Sequence, residues 1–129
     1  MSLKFLIVDD SQTMRRIVTN SLKNLGYEEF VEAADGKDAL IKLAADDTIN
    51  FVITDWNMPV LSGLELIKAI RSDEKMGKIP VLMVTTRGVK DDIIEALKAK
   101  VNNYVVKPFT PAILRDKIDQ IISNNVGAN

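Results

Sequence analysis

The sequence predicts an α/β fold in which five parallel strands carry helices on both faces. Two observations lead there. Strand-like and helix-like segments alternate five times along the 129 residues, with short connections, and parallel neighbours need a crossover between them, usually a helix. The strand segments also read as continuous apolar runs, as in K-F-L-I-V and F-V-I-T, which suits strands covered on both sides. Right-handed crossovers are expected.

Lys4–Val8 is the first strand and stops at Asp9-Asp10. Ser11 or Asp10 caps a helix with Met14, Ile17, Val18, Leu22 and Leu25 at helical spacing, and Gly26 closes it. Glu29–Ala33 is a weaker second strand. Asp35-Gly36 turns into a helix bearing Ala39, Leu40 and Leu43, and 46–50 is loop. Phe51–Thr54 is the third strand. Pro59 and Gly63 then turn the chain into a helix carrying Leu64, Leu66, Ile67 and Ile70. A polar connection over 71–79 leads to Pro80 and the fourth strand, Val81–Thr85. Gly88 punctuates, and a fourth helix from about Val89 carries Ile93, Ile94 and Leu97. Tyr104–Val106 is a very short fifth strand. Thr110-Pro111 starts the last helix, whose inward side holds Leu114, Ile118, Ile121 and Ile122, with fraying expected from Asn124.

The length suits one domain spanning 1–129. The chain is 47% hydrophobic and 27% charged, with 17 basic and 18 acidic residues and a net charge of −1. That balance offers no footprint for nucleic acid or a membrane surface. No window approaches the roughly 20 apolar residues of a membrane span, and there is no signal-peptide pattern. Cytoplasmic localisation is the expectation. The chain has no Cys and no His, which removes thiolate and imidazole chemistry. Carboxylates, Lys, hydroxyls and a borrowed metal remain.

In open α/β sheets ligands bind beyond the carboxyl ends of the strands. Here those ends carry Asp9-Asp10, Asp55, Thr85-Thr86 and Lys107-Pro108. Crowded carboxylates repel unless a cation lies between them, and an all-oxygen set suits Mg²⁺ or Mn²⁺. With Lys107 as a fixed positive charge, these are the parts for phosphoryl transfer, Asp55 being the nucleophile. Taken singly, each has a bland reading: acidic pairs cap helices, a Lys before Pro is solvated, Thr85 continues its strand and Asp55 is a turn residue. Four strand ends with mutually complementary groups are what favour a site.

The motifs L-I-V-D-D-S, D-W-N-M-P, M-V-T-T and Y-V-V-K-P-F resemble those of response-regulator receiver domains over the whole length. T-M-R-R-I-V, D-W-N-M-P-V and N-Y-V-V-K-P-F-T-P bring it nearer to the single-domain chemotaxis regulators of that family. The resemblance, and not the spacing of the residues, implies a flavodoxin-like sheet of order 2-1-3-4-5, for which a chemotaxis regulator is itself a standard example. It implies that Asp55 becomes a 4-aspartylphosphate. Asp9, Asp10, Asp55 and the backbone carbonyl of Asn57 then bind Mg²⁺, Lys107 contacts the phosphoryl group, and Lys107–Pro108 is cis. Thr85 moves toward the phosphoryl oxygen and Tyr104 rotates after it. The donor it implies is a phosphohistidine on a chemotaxis-type histidine kinase. The output face is the fourth helix, fifth strand and fifth helix, exposing Lys90, Ile93, Tyr104, Val106, Ile113 and Lys117 to a flagellar motor switch protein. For Ile93 and Ile113 a core position is the competing reading, with Ile94 and Leu114 forming the inward stripe. A phosphatase partner, a monomeric state, and no activity beyond transfer to and hydrolysis from Asp55 belong to the same expectation.

Three positions depart from the family pattern. Lys100 stands where Gly is usual, so Asn102 or Asn103 is expected to carry the turn, or local stability to suffer. Ser62 replaces a common Asp, with little effect expected. Arg87 stands where an acidic residue is frequent and bears on how long an aspartyl phosphate lasts. Other functions fit less well. A flavin mononucleotide carrier would need a phosphate loop where D-D-S-Q-T stands, and that segment repels an anion. A Mg²⁺-dependent phosphatase would need an acid–base carboxylate where Asn57 stands. A phosphorelay intermediate would differ in partners and not in chemistry.

Overall fold

The computed structural model describes residues 2–86 and 90–127. The elements are β1 (Lys4–Val8), α1 (Gln12–Asn24), β2 (Glu29–Ala33), α2 (Gly36–Ala45), β3 (Phe51–Thr54), α3 (Gly63–Ser72), β4 (Val81–Thr85), α4 (Lys90–Lys98), β5 (Asn103–Val106) and α5 (Pro111–Gly127). The strands form one parallel sheet in the order β2-β1-β3-β4-β5, as expected. The predicted break at Gly88 and helix start near Val89 lie outside the described residues, as does Arg87.

Successive strand side chains point to opposite faces, and the sheet feeds two cores accordingly. Phe5, Ile7, Phe51, Ile53, Leu82 and Val84 pack with Val18 and Leu22 of α1 and Leu114, Ile118 and Ile121 of α5. Leu6, Val8, Val52, Val81 and Met83 pack with Ala39 and Leu43 of α2, Leu66, Ile67 and Ile70 of α3, and Ala96 of α4. The three central strands are fully buried apart from Lys4 at the start of β1, which is why they read as apolar runs. At the lower end of the sheet the Phe5 ring meets those of Tyr27 and Phe51 at 4.9 and 5.1 Å. Among the described residues no helix is long and apolar enough to cross a membrane.

The structure corrects the sequence reading at several helix positions. Ile17 lies on the exposed side of α1. On α4 the inward stripe runs through Ile93, Ala96 and Ala99 into Val101, while Ile94 and Leu97 are 40% and 52% exposed. Ile94 therefore does not serve the core, and Ile93 is half-buried rather than displayed. Ala96 and Ala99 are buried on that side, and adjacent isoleucines differ by only 100° around a helix axis, a choice spacing alone does not decide. Arg71 belongs to α3 rather than to the connection after it. Its guanidinium donates to the carbonyls of Gly77, Ile79 and Lys100 and to Asn102 Oδ1, and burial lowers its pKa. The helical pattern of α5 runs to Gly127, past the expected fraying point.

Two helices end alike with different residues. After α1, Gly26 N donates to Lys23 O and Tyr27 N to Leu22 O, with Gly26 at φ +100°. After α4, Lys100 N donates to Leu97 O and Val101 N to Ala96 O, with Lys100 at φ +71°. Both are Schellman closures, which place the residue after the cap in the left-handed region. Lys100 thus carries the turn itself, and neither Asn102 nor Asn103 does. A β-carbon costs about 1 kcal/mol there, offset in part by the extra freedom glycine gives the unfolded chain. Lys100→Gly is expected to stabilise the protein by roughly 0.5–1 kcal/mol, measured as a higher urea midpoint at unchanged slope.

Candidate functional site

The register of the sheet builds the site. Val8 pairs with Thr54, so Asp9 and Asp55 are the first residues past two adjacent strand ends. Their amides continue the ladder, Asp9 N donating to Ala33 O at 3.1 Å and Asp55 N to Val8 O at 3.0 Å. Both carboxylates are thereby fixed at the backbone, on the same edge. Two strands away, Lys107 N donates to Thr85 O at 2.8 Å and Lys107–Pro108 is cis. From there the Lys107 side chain crosses the end of β4, and its Nζ lies 3.0 Å from Asp9 Oδ2 and 3.2 Å from Asp55 Oδ2. All three groups are largely buried. Thr85, which ends β4, is fully buried.

Each carboxylate has its other oxygen occupied. Asp9 Oδ1 accepts from Ser11 N at 2.9 Å, and Asp55 Oδ1 from Trp56 N at 2.6 Å. Ser11 is the cap of α1, its hydroxyl accepting from Met14 N, which decides between the two candidate caps. Asp10 is exposed, and oxygens of Asp9, Asp10 and Asp55 all lie within 4.8 Å of one another. Three carboxylates and one ammonium leave a net negative site whose donors are all hard oxygens, which fits a small divalent cation. Asn57 follows on the exposed side, and the cis peptide and the Asp9–Asp10–Asp55 juxtaposition match what the motifs implied.

The loop after Asp55 is held at several points. Thr54 Oγ1 donates to Asp55 O, and Gly63 N donates to Trp56 O. Trp56 itself is buried in the core. A β-carbon on Gly63 would stand 1.9 Å from Asp55 O. Ser62 and Glu65 form a reciprocal capping box at the start of α3, and the Ser62 amide and hydroxyl hold the Glu65 carboxyl below its ordinary range. Ser62 thus keeps the helix cap.

Two contacts made directly on the acidic residues escaped the sequence. Arg15 Nη1 donates to Asp9 O at 2.6 Å while its Nε pairs with Glu32 at 2.9 Å, tying the acidic turn to β2. The close approach of Gly63 to Asp55 is the other. Only the identity of the residue as glycine signals it, and in sequence it reads as an ordinary turn. Of the proposed output residues, Val106 and Ile113 are 42% and 45% exposed. Lys90 is exposed, and Ile93, Tyr104 and Lys117 are half-buried.

Comparison with known proteins bears on this arrangement. The family model for the response regulator receiver domain matches residues 5–119. The chain is 51% identical to chemotaxis protein CheY1 of Helicobacter pylori over 123 residues, covering 95% of this chain and 99% of that protein. Among solved structures it resembles chemotaxis response regulator CheY4 of Vibrio cholerae, with a TM-score of 0.85, 35% identity and coverage of 94% and 99%. It also resembles the receiver domain of a sensor histidine kinase from Pseudomonas aeruginosa, with a TM-score of 0.84, 26% identity and coverage of 95% and 99%. That structure has a magnesium ion coordinated in its active site cleft.

Proposed function

The chain belongs to the response regulator receiver domain family, and from that premise we propose that it is a phosphorylation-activated switch of a chemotaxis two-component system. The carrying observation is the Asp9–Asp10–Asp55 cluster spanned by Lys107. In this reading an Asp55 carboxylate oxygen attacks the phosphorus of a phosphohistidine on a histidine kinase. The P–N bond breaks as the P–O bond forms, and the leaving imidazole nitrogen takes up a proton. Lys107, already against Asp55 Oδ2, pairs with an oxygen of the transferred group and offsets charge on it. Its anchor on Thr85 O keeps that ammonium aimed at the site.

Asp9, Asp10, Asp55 and the Asn57 carbonyl would hold Mg²⁺, which when bound neutralises phosphoryl charge. The all-oxygen donor set supports this, as does the magnesium reported for the Pseudomonas aeruginosa relative. Asp9 is rigidly placed for the task, because Ser11 N and Arg15 fix its carboxylate and its carbonyl.

Phosphorylation then shifts an existing equilibrium. Thr85 and Tyr104 are the reporting pair, and α4, β5 and α5 the face that reads them. Val106 and Ile113, with Lys90, Tyr104 and Lys117, meet a flagellar motor switch protein there, with Ile93 beneath them. Ile94 and Leu97 add exposed apolar area on α4 beyond what the sequence indicated. The protein is in this account a cytoplasmic monomer of one domain that catalyses only its own phosphorylation and hydrolysis.

The test is retention on an immobilised flagellar motor switch component, with and without beryllofluoride and Mg²⁺ as a phosphoryl mimic. Retention is expected to rise roughly tenfold with the mimic and to fall back in Ile113→Glu. Equal retention in both arms contradicts the proposed output.

A further inference from the structure

We infer that Gly36 is a positioning residue for the phosphoacceptor loop, acting through Leu61 on the segment that carries Asn57. Gly36 is the first residue of α2, behind its cap Asp35, and is remote in sequence from Asp55. A β-carbon at Gly36 would lie 2.8 Å from Leu61 O, 2.9 Å from Leu61 Cβ and 2.9 Å from Leu61 Cδ2. One of these atoms is backbone, so a side-chain rotation does not relieve the contact. The bare face of Gly36 is therefore a seat on which the loop rests.

The loop has little slack to absorb a push. Leu61 N donates to Pro59 O at 2.7 Å across Val60, which sits at φ +71°. That is a γ-turn of the strained kind, with a β-branched residue at its centre. Pro59 fixes one more torsion. Gly63 is pinned on the far side by Trp56 O and by its approach to Asp55 O. A displacement of Leu61 therefore passes back along the short link to Asn57, whose carbonyl is a ligand in the metal reading on which this inference rests.

An ordinary structural role predicts a different outcome. Gly36 has no left-handed φ, and alanine is the better helix former. If the seat did not matter, Gly36→Ala would be neutral or mildly stabilising, with an unchanged site.

The experiment titrates Mg²⁺ alone, with no phosphodonor, and follows the fluorescence of Trp56, the single Trp in the chain. Gly36→Ala is expected to raise the Mg²⁺ concentration at half-change on the order of tenfold, the scale of lost support behind a metal ligand. Gly26→Ala serves as a control for lost stability, since Gly26 has φ +100° and nothing within 4 Å of its β-carbon position. It is expected to lower the urea midpoint while leaving the titration at the wild-type value. Should Gly36→Ala fail to fold, Leu61→Ala takes away the part of the seat that Leu61 Cδ2 makes on Gly36, leaving Leu61 O and Cβ in place, and is expected to raise the half-change concentration in the same direction. A wild-type titration curve in Gly36→Ala, or in Leu61→Ala where that variant decides, overturns the inference. So does an equal shift in Gly26→Ala. A wild-type chain with no Mg²⁺ response overturns instead the metal reading beneath it.

Discussion

Replacing Lys107 with alanine is expected to slow phosphorylation of Asp55 by roughly a hundredfold, the scale of losing one positioned group that stabilises developing charge. The geometry gives the reason. Its ammonium stands 3.2 Å from Asp55 Oδ2, on a strand end held by Thr85 O, so it needs no reorganisation to meet an incoming phosphoryl oxygen. The variant has a second consequence. Asp9 and Asp55 carry side chains only 7% and 13% exposed, and without Lys107 they face each other with no cation. In a chelator the variant is expected to be about 3 kcal/mol less stable than wild type, the low end of the cost of stripping a buried charge of its partner. Added Mg²⁺ should recover most of that loss, because a cation held by the same carboxylates restores the balance. Urea titrations with chelator and with Mg²⁺ measure both quantities. Equal stability in chelator, or an undiminished rate, contradicts the role given to Lys107.

Gly63→Ala is expected to cost roughly 3 kcal/mol or more and to abolish phosphorylation together with Mg²⁺ binding. The added carbon would stand 1.9 Å from Asp55 O, 2.9 Å from Asp55 C and 3.0 Å from Trp56 Cα. Every one of these is backbone of Asp55 or Trp56, so relief requires moving the end of β3 or the start of α3. Backbone conformation does not oppose the change, since Gly63 has no left-handed φ, and helix propensity favours alanine. The loss is therefore entirely steric and local to the site. A urea midpoint equal to wild type contradicts it.

Much of the site was legible in the sequence because the fold places it by a general rule. Parallel strands end on one edge, and the residues at or just past those ends, Asp9, Asp55, Thr85 and Lys107, are countable once the apolar runs are found. Four of the five strands took their predicted bounds for the same reason, and β5 began one residue early at Asn103. What periodicity did not settle were choices between neighbours. Ile93 and Ile94 are both large and apolar, and Ile93 is the one on the side where Ala96 and Ala99 are buried. For Lys100 the expectation was that an asparagine takes the turn or that local stability suffers; Lys100 itself takes the positive φ, because the closure of α4 fixes which residue does so whatever its identity. Gly36 and Gly63 look like turn residues, and their closeness to Leu61 and Asp55 exists only once α2, β3 and α3 have packed.

Whether Asp55 accepts the phosphoryl group is read from the mapped position of the modification. Incubation with acetyl phosphate and Mg²⁺, borohydride trapping and peptide mass spectrometry should place one label, on Asp55, with none in Asp55→Asn. Label at any other carboxylate, or label retained in Asp55→Asn, would show that Asp55 is not the acceptor.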